Sequence, residues 1–522
     1  MNRFALSIAV ALAFSTGCVF AQNPVGAEAS QTKNNNAGSG KPAPSSLDPS
    51  SREEHRAQKA GGKRKPRGDV PPEALPAEVA TLAQLSLVLG RPTDKSVTVS
   101  ALSAGELEGY IGYRNIPNGA PRKTALFRLP PGKPVETVLD QLLPDNQCGY
   151  RLCYRKPGEP AFVQGEENFF HTQRAPGSAF TFEIQGDSHP ERPHQHDPAL
   201  YAQTLRAAAA DRPDFYMTIG DDFSVDTLET LNVDTVTQRY TRQRPFLALV
   251  GRSAPLFLVN GNHEQAAACN LDGTPNNVAV WAQNARNRYF PQPAPDGFYT
   301  GDAQPVEFIG PLRDYYAWTW GDALFVVIDP YWHSPQSVDN DLGGGKKARD
   351  LWGVTLGEAQ YQWFKRTLQG SKAKYKFVFA HHVLGTGRGG IENAGLFEWG
   401  GYNQRGGWEF AQRRPGWELP IHPLMAKNGV TIFFQGHDHV YVRQQLDGVV
   451  YQELPEPADP NYALYNQQAY RTGDALPNSG RVRVSVAPDK VTVEYVRSWL
   501  PKDVTDQHKD GEVAHRYTLP GR

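Results

Sequence analysis

Five apolar runs in this chain each break off at a cluster of histidine, aspartate or asparagine, and that repeated ending constrains the fold more than any other feature. The segments are FEIQGDSH, with Asp187 and His189; MTIGDD, with Asp221; FLVNGNHE, with Asn262 and His263; VFAHH, with His381; and FFQGHDH, with His437 and His439. A single ending of this kind arises by chance, whereas five in order after strand-like runs do not. Helix-like stretches around residues 200–210 and 236–249 separate the first three runs, and such alternation specifies α/β layers. Open α/β sheets bind their ligands outside the carboxyl ends of the strands, so all five endings are predicted to gather on one rim.

The donor types say what that rim would hold. Two cations about 3.5–4 Å apart repel strongly and need an anionic oxygen between them, which a carboxylate supplies. Asp221 is the candidate bridge. Four histidines, two aspartates and one asparagine suit a pair of transition metals, Fe, Zn or Mn, better than calcium or magnesium. No G-x-S-x-G elbow lies between a strand and a helix, so nothing here argues for a covalent serine intermediate.

The ordered pattern D-x-H, G-D, G-N-H-E, H, G-H-x-H resembles that of the calcineurin-like metallophosphoesterases, over residues 178–500. The resemblance implies an α/β fold, an αββα two-sheet sandwich, and a binuclear centre hydrolysing phosphate esters by attack of a metal-bound hydroxide. Carried over by position, it implies that Asp187, His189, Asp221 and His439 hold one metal. Asp221, Asn262, His381 and His437 would hold the other, with His381 rather than His382 as ligand because it directly follows the strand. His263 would face the substrate and stabilise or protonate the leaving oxygen. Purple acid phosphatases carry an iron-binding tyrosine three residues after the bridging aspartate. This chain has Ser224 there, so the resemblance does not extend to a ferric–tyrosinate centre.

Other residues invite a role. Asp222 either takes hydrogen bonds from behind the ligands or adds negative charge to the site. Arg388 in GTGRGG and His333 in DPYWHS come from loops expected near the rim, and an arginine there would grip phosphate oxygens in a bidentate way. His194 and His196, in HPERPHQHD, read as solvated loop histidines. Trp332, Trp399 and Trp408 read first as packing and second as walls of a pocket for an organic leaving group.

The chain divides by texture. Residues 1–21 have a basic Arg3, an apolar stretch and a Val19-Phe20-Ala21 end, the pattern of a secretory signal peptide directing a periplasmic or secreted protein. The run is too short for a membrane span. Cys18 suggests lipoprotein processing, but Ser15 occupies a position where such sites carry an aliphatic residue. Residues 22–77 are rich in Asn, Gly, Ser, Pro and Lys and read as a disordered linker whose basic cluster, Lys63 to Arg67, would touch envelope polymers weakly if it touches anything. Residues 78–175 show short alternating runs broken by Pro and Gly, the signature of a small antiparallel β-sandwich. Its place ahead of D-x-H resembles the fibronectin-like domain of purple acid phosphatases and alkaline phosphatase D-type enzymes. Cys148 and Cys153 lie close enough in sequence to suggest a disulfide. Residues 176–500 form the catalytic domain on this reading, three late hairpins fit its second sheet, and 501–522 are a C-terminal tail.

With 54 basic and 55 acidic side chains, no whole-chain field draws in nucleic acid, and specific nucleic-acid binding is not expected. Two readings stand at this point. One is a secreted phosphoesterase acting on mono- or diesters. The other is a non-catalytic envelope or cell-wall binding protein with a structural metal site, against which an inward-facing His263 that is not itself a ligand argues.

Overall fold

The computed structural model describes residues 75–338, 350–384 and 387–521. The expected signal peptide and nearly all of the expected linker lie outside these residues. Among the described residues no helix is long and apolar enough to cross a membrane.

Four strands, Phe215–Thr218, Ala323–Val327, Tyr375–Phe379 and Ile432–Gln435, are buried at every residue. Near-continuous apolar runs of this kind belong in sheet interiors covered on both faces. Two mixed sheets accommodate them. The first has the order Leu256–Leu258, Phe215–Thr218, Phe180–Gln185, Gly480–Val486, Lys490–Arg497, Val513–Pro520. The second has eight strands, with Ala323–Val327, Tyr375–Phe379, Ile432–Gln435 and Val449–Glu453 running parallel at its centre.

The sheets meet through a layer of aromatic side chains. Phe182 and Phe215 of the first sheet pack edge-on against Phe325 of the second, with ring centroids 5.2 and 5.1 Å apart, and Phe257 stacks on Trp318 at 4.1 Å. Offset and edge-to-face pairs of this kind add about 0.5–1.5 kcal/mol each beyond their area burial. Helices Pro198–Asp211, Val233–Gly251 and Val278–Tyr289 cover the outer face of the first sheet through a second apolar cluster, and Gly357–Gly370 and Ile421–Lys427 cover the second sheet through a third. The architecture is therefore the αββα sandwich that the sequence implied.

Local signals place these helices. Asp197 ends the loop after D-x-H, and its carboxylate accepts from the backbone N–H groups of Ala199 and Leu200 at 2.8 and 3.0 Å, with Pro198 opening the helix. The hairpin turn at Asp447-Gly448 puts both residues at positive φ, 47° and 82°, the geometry that matches strand twist in a two-residue connection.

Ahead of the sandwich, strands Leu85–Gly90, Val97–Ser103 and Val135–Leu139 form one antiparallel sheet, and Leu107–Asn115 and Gln147–Arg155 centre another. They enclose a common core that includes Leu89, Val99, Ile111, Leu139, Tyr150 and Phe170. This small β-sandwich is not a free module. Val79 and Val88 belong to the same apolar cluster as helix Val233–Gly251, and the fully buried Arg244 of that helix donates from Nη2 to the Ser100 carbonyl at 2.7 Å and from Nε to Ser86 Oγ at 3.1 Å.

Three expectations need correction. Cys148 and Cys153 are not disulfide-bonded. They occupy one strand five residues apart, so they point to opposite faces and lie about 17 Å apart along it, far beyond the reach of a disulfide. The span 501–522 is not a tail, because Val513–Pro520 pairs antiparallel with Lys490–Arg497 along the edge of the first sheet. The hairpin Gly480–Arg497 lies beside Phe180–Gln185 in the first sheet, not the second; the other two late hairpins lie in the second.

Burial pushes the Arg244 guanidinium down to about 9, and its donors tie helix Val233–Gly251 to the backbone of the β-sandwich strand Val97–Ser103. Arg244→Ala would strand the Ser100 and Tyr289 carbonyls it now serves. The expected loss is about 2–4 kcal/mol, read as a lower thermal-unfolding midpoint, whereas an exposed arginine such as Arg405 changed to Ala would leave the midpoint within error.

Candidate metal centre

Each of the five endings follows a strand of the sandwich: residue 187 after Phe180–Gln185, 221 after Phe215–Thr218, 262 after Leu256–Leu258, 381 after Tyr375–Phe379 and 437 after Ile432–Gln435. The first three strands run parallel in one sheet and the last two parallel in the other. Their carboxyl ends therefore deliver the side chains to one rim.

Two donor groups result. Asp187, His189 and His439 each bring a ligand atom within 4.8 Å of the others, as do Asp221, His381 and His437. Asp221 also joins the groups: its Oδ2 is 3.0 Å from His381 Nε2 and 3.7 Å from His189 Nε2. Asp187 Oδ2 stands 3.2 Å from His439 Nε2. Asn262 Oδ1 lies 3.0 Å from His437 Nδ1.

The backs of the imidazoles are tied, which fixes what their fronts present. His189 Nδ1 meets Glu191 Oε1 at 2.9 Å and Ser224 Oγ at 3.3 Å. His381 Nδ1 donates to the Ile219 carbonyl at 2.9 Å, and His439 Nδ1 pairs with Glu456 Oε1 at 3.0 Å. In each case Nε2 is left facing inward. His189 Nε2, His381 Nε2 and Asp221 Oδ2 are buried, and although the last two stand 3.0 Å apart as an ion pair, none of the three makes a well-aligned hydrogen bond, a costly arrangement unless a further group satisfies them.

Charge points the same way. Burial opposes ionisation of Asp187 and Asp221, yet His381 and the neighbouring imidazoles hold both carboxyls well below their usual range. Burial likewise opposes protonation of His439, but Glu456 and Asp187 outweigh it and push this imidazole up to about 9. The two buried carboxylates thus draw positive charge from whatever stands near them. His437 is the exception: burial and the neighbours His382, His381 and Arg388 hold it well below its ordinary value, so it is neutral, the form that ligates.

The loops are strained to reach this geometry. His189, Asp221, His437 and His439 all have positive φ, at 38°, 57°, 77° and 57°, at a cost of about 1–3 kcal/mol each. Glycines permit the closest approaches. A Cβ on Gly261 would sit 2.2 Å from Asp221 Oδ1, and one on Gly436 would sit 2.5 Å from Asp187 Oδ1.

His263 joins these groups from the side, its ring forming a third set of donor atoms within 4.8 Å with His189 and Asp221. Its backbone N–H donates to Asp221 Oδ1 at 2.9 Å, its Nδ1 is 2.8 Å from Asp226 Oδ1, and its Nε2 is 3.8 Å from Asp221 Oδ2. Burial disfavours the cation, but Asp221 and then Asp226 push the imidazole up to about 9. Arg192 Nη2 lies 2.9 Å from His263 Nε2. A guanidinium has no lone pair to offer, so this contact is a hydrogen bond only while Nε2 is bare, and a proton on Nε2 must displace it.

Not every residue singled out in the sequence joins the cluster. Arg388 donates from Nη1 to the His437 carbonyl at 2.6 Å and to Asp438 Oδ1 at 3.0 Å, so its guanidinium braces the G-H-D-H loop. His333 pairs with Asp314 Oδ2 at 2.9 Å in a separate group, because its loop turns toward residues 302 and 314. His382 meets Tyr331 OH through Nδ1 at 2.8 Å. Asp222 accepts from Ser188 Oγ at 2.6 Å and Gln185 Nε2 at 2.9 Å, and burial pushes it up to about 7, which selects the supporting role for it. His196 is buried, with Nδ1 2.8 Å from the Ser188 carbonyl, contrary to the solvated reading. Trp399 is fully buried against Tyr451 OH at 2.8 Å, whereas Trp408 is exposed.

Several contributors escaped the sequence reading. Glu191 and Arg192 lie in the loop HPERPHQHD, where the histidines are the more conspicuous residues. Glu456, in LPEPAD, carries no motif. Glu264 ends G-N-H-E and was the one legible signal: its carboxylate accepts from the N–H groups of Asp221 at 3.1 Å, Phe223 at 3.0 Å and Gly261 at 2.7 Å, tying the second ending to the third.

A two-sheet α/β sandwich with this buried His/Asp/Asn rim defines a metal-dependent phosphoester hydrolase fold. The calcineurin-like phosphoesterase family matches residues 181–441, half of the chain, and the protein belongs to that family. Purple acid phosphatase PPD1 from yellow lupin (Lupinus luteus) seeds is similar in structure, with a TM-score of 0.55 and 17% identity over 83% of this chain and 74% of that one. PhoD gives a TM-score of 0.58 and 15% identity over 87% of this chain and 92% of that one. At such identities the likeness is one of fold. No curated protein matches in sequence.

Glu264→Ala would leave three buried N–H donors unserved. The expected outcome is a destabilisation of roughly 3 kcal/mol or more in thermal melts, together with reduced metal content by elemental analysis, since Asp221 loses its anchor. Unchanged melting and metal content would remove Glu264 from this role.

Proposed function

We propose that the chain is a secreted or periplasmic phosphoesterase with a binuclear centre, in which Asp221 is shared between two cations. The observation that carries this reading is the convergence of His189 Nε2, His381 Nε2 and Asp221 Oδ2, buried and without a well-aligned hydrogen bond, while the other side of each imidazole is anchored. Asp187, His189, Asp221 and His439 would hold one ion, and Asp221, Asn262, His381 and His437 the other. The donor set suits Fe, Zn or Mn. When bound, two such ions supply Lewis acidity toward a water and toward the phosphoryl oxygens. The leader-like residues 1–21 support export.

The protein's own groups supply the rest. Asp221, held by the N–H of His263 and by Glu264 through its own N–H, keeps a fixed negative charge at the centre of the rim. Asp226 holds the Nδ1 proton of His263 and so leaves Nε2 as the position that exchanges a proton. An anionic substrate offers Arg192 oxygens to bond in place of His263 Nε2. Freed of the guanidinium, Nε2 takes up a proton from solvent, which its elevated pKa of about 9 favours, and passes that proton to the leaving oxygen of the ester.

The test pairs two leaving groups and two ester types. The full chain, loaded with Zn, Mn or Fe, is assayed on a nitrophenyl monoester, a bis-nitrophenyl diester and a monoester of an unactivated alcohol. Asp221→Asn is expected to abolish turnover on all of them. His263→Ala is expected to lower kcat by about 10²–10⁴-fold on the unactivated alcohol ester and far less on the nitrophenyl esters, whose leaving groups need no proton. Equal losses on both would contradict the proton-donor role, and full activity in Asp221→Asn would contradict the shared carboxylate. The ratio of monoester to diester turnover assigns the substrate type.

A further inference from the structure

Asp302, Asp314 and His333, none of them in the five motif endings, form another group whose ligand atoms all lie within 4.8 Å of one another. The three come from separate segments: Asp302 follows the short strand Thr300–Gly301, Asp314 precedes the strand Tyr316–Trp320, and His333 lies beyond Ala323–Val327. We propose that this group is a second, independent cation site, with two carboxylates and one imidazole binding a divalent transition metal such as zinc.

The first support is the chemistry of the set. Two carboxylates, with an imidazole that gives up its proton on binding, carry the charge that a divalent ion offsets, and three protein ligands with an open position are a zinc arrangement. The second is Asp314. Its side chain is fully buried, and while Oδ2 takes the 2.9 Å contact from His333 Nε2, Oδ1 is buried with no hydrogen-bond partner. A charged oxygen enclosed in this way lacks what a cation provides. The third is the engagement of the surroundings. Asp302 Oδ1 accepts the Gln304 N–H at 2.8 Å, which leaves its other oxygen for the group, and the nearby Asp329 is used up by Asn260 Nδ2 at 2.7 Å and the Tyr331 N–H at 2.7 Å. His333 is the partly exposed member, so an ion would enter past its ring.

A simpler account is a buried His–Asp pair with Asp302 as bystander, and one substitution separates the two. Asp302→Asn leaves the His333–Asp314 bond intact. The full chain and its variants are stripped with a chelator, reloaded with zinc alone, and counted for zinc per chain by mass spectrometry of the metal. Asp302→Asn is expected to hold one equivalent fewer than the parent, and Asp314→Asn the same. An unchanged count in a folded Asp302→Asn chain would overturn the proposal even if Asp314→Asn failed to fold. The comparison is repeated with Asp221→Asn in both chains: the one-equivalent difference should persist there, because this site owes nothing to the rim, and its disappearance would overturn the claim of an independent site.

Discussion

Asp187 and Asp221 are carboxylates enclosed almost completely by protein, and most of the architecture around them serves to make that enclosure tolerable. An isolated buried carboxylate costs several kcal/mol even after relaxation. Here the two are faced by the imidazoles of His189, His381 and His439 at 3.0–3.9 Å and by backbone N–H donors from His263 and His437. The second layer of Glu191, Glu456, Glu264 and Asp226 then holds those partners. Glu191, Glu456 and Asp226 thus meet the imidazoles of His189, His439 and His263 from behind while Asp187 and Asp221 face them in front, the arrangement of a site suited to cations.

The two-sheet sandwich is what brings such a set together. Three loops come from one sheet and two from the other, so the aromatic layer between the sheets fixes the distance between the halves of the centre. Phe182, Phe215, Phe257, Trp318 and Phe325 set that spacing. Strain at His189, Asp221, His437 and His439 is sustained because the flanking strands are buried on both faces and cannot shift. The β-sandwich adds a brace on the outside: through Arg244 it grips the helix that links the second ending to the third.

Much of this was legible in the sequence because it depends on local pattern. The apolar runs ending in Asp187, Asp221, Asn262, His381 and His437 mark strands and their carboxyl ends without reference to anything distant, and the helices at Pro198–Asp211 and Val233–Gly251 follow from periodicity and caps. What escaped depends on long-range register. Glu456 reaches His439 from a loop with no motif of its own. The strand Val513–Pro520 looked like a tail because an edge strand with half its side chains in water carries a weak apolar signal. Cys148 and Cys153 suggested a disulfide by proximity in sequence, which a strand converts into distance. Arg388 lies at the rim as its loop suggests, on the His437 carbonyl and Asp438, whereas loop origin alone does not foresee that Asp314 draws His333 into a separate group.

The central claim is that the rim holds two cations sharing Asp221. The most direct measurement is anomalous diffraction from crystals of the metal-loaded protein, collected at the absorption edge of the ion supplied. The account predicts two peaks about 3.5–4 Å apart, one beside Asp187, His189 and His439 and the other beside Asn262, His381 and His437, with Asp221 between them. A single peak there, or none, would contradict it.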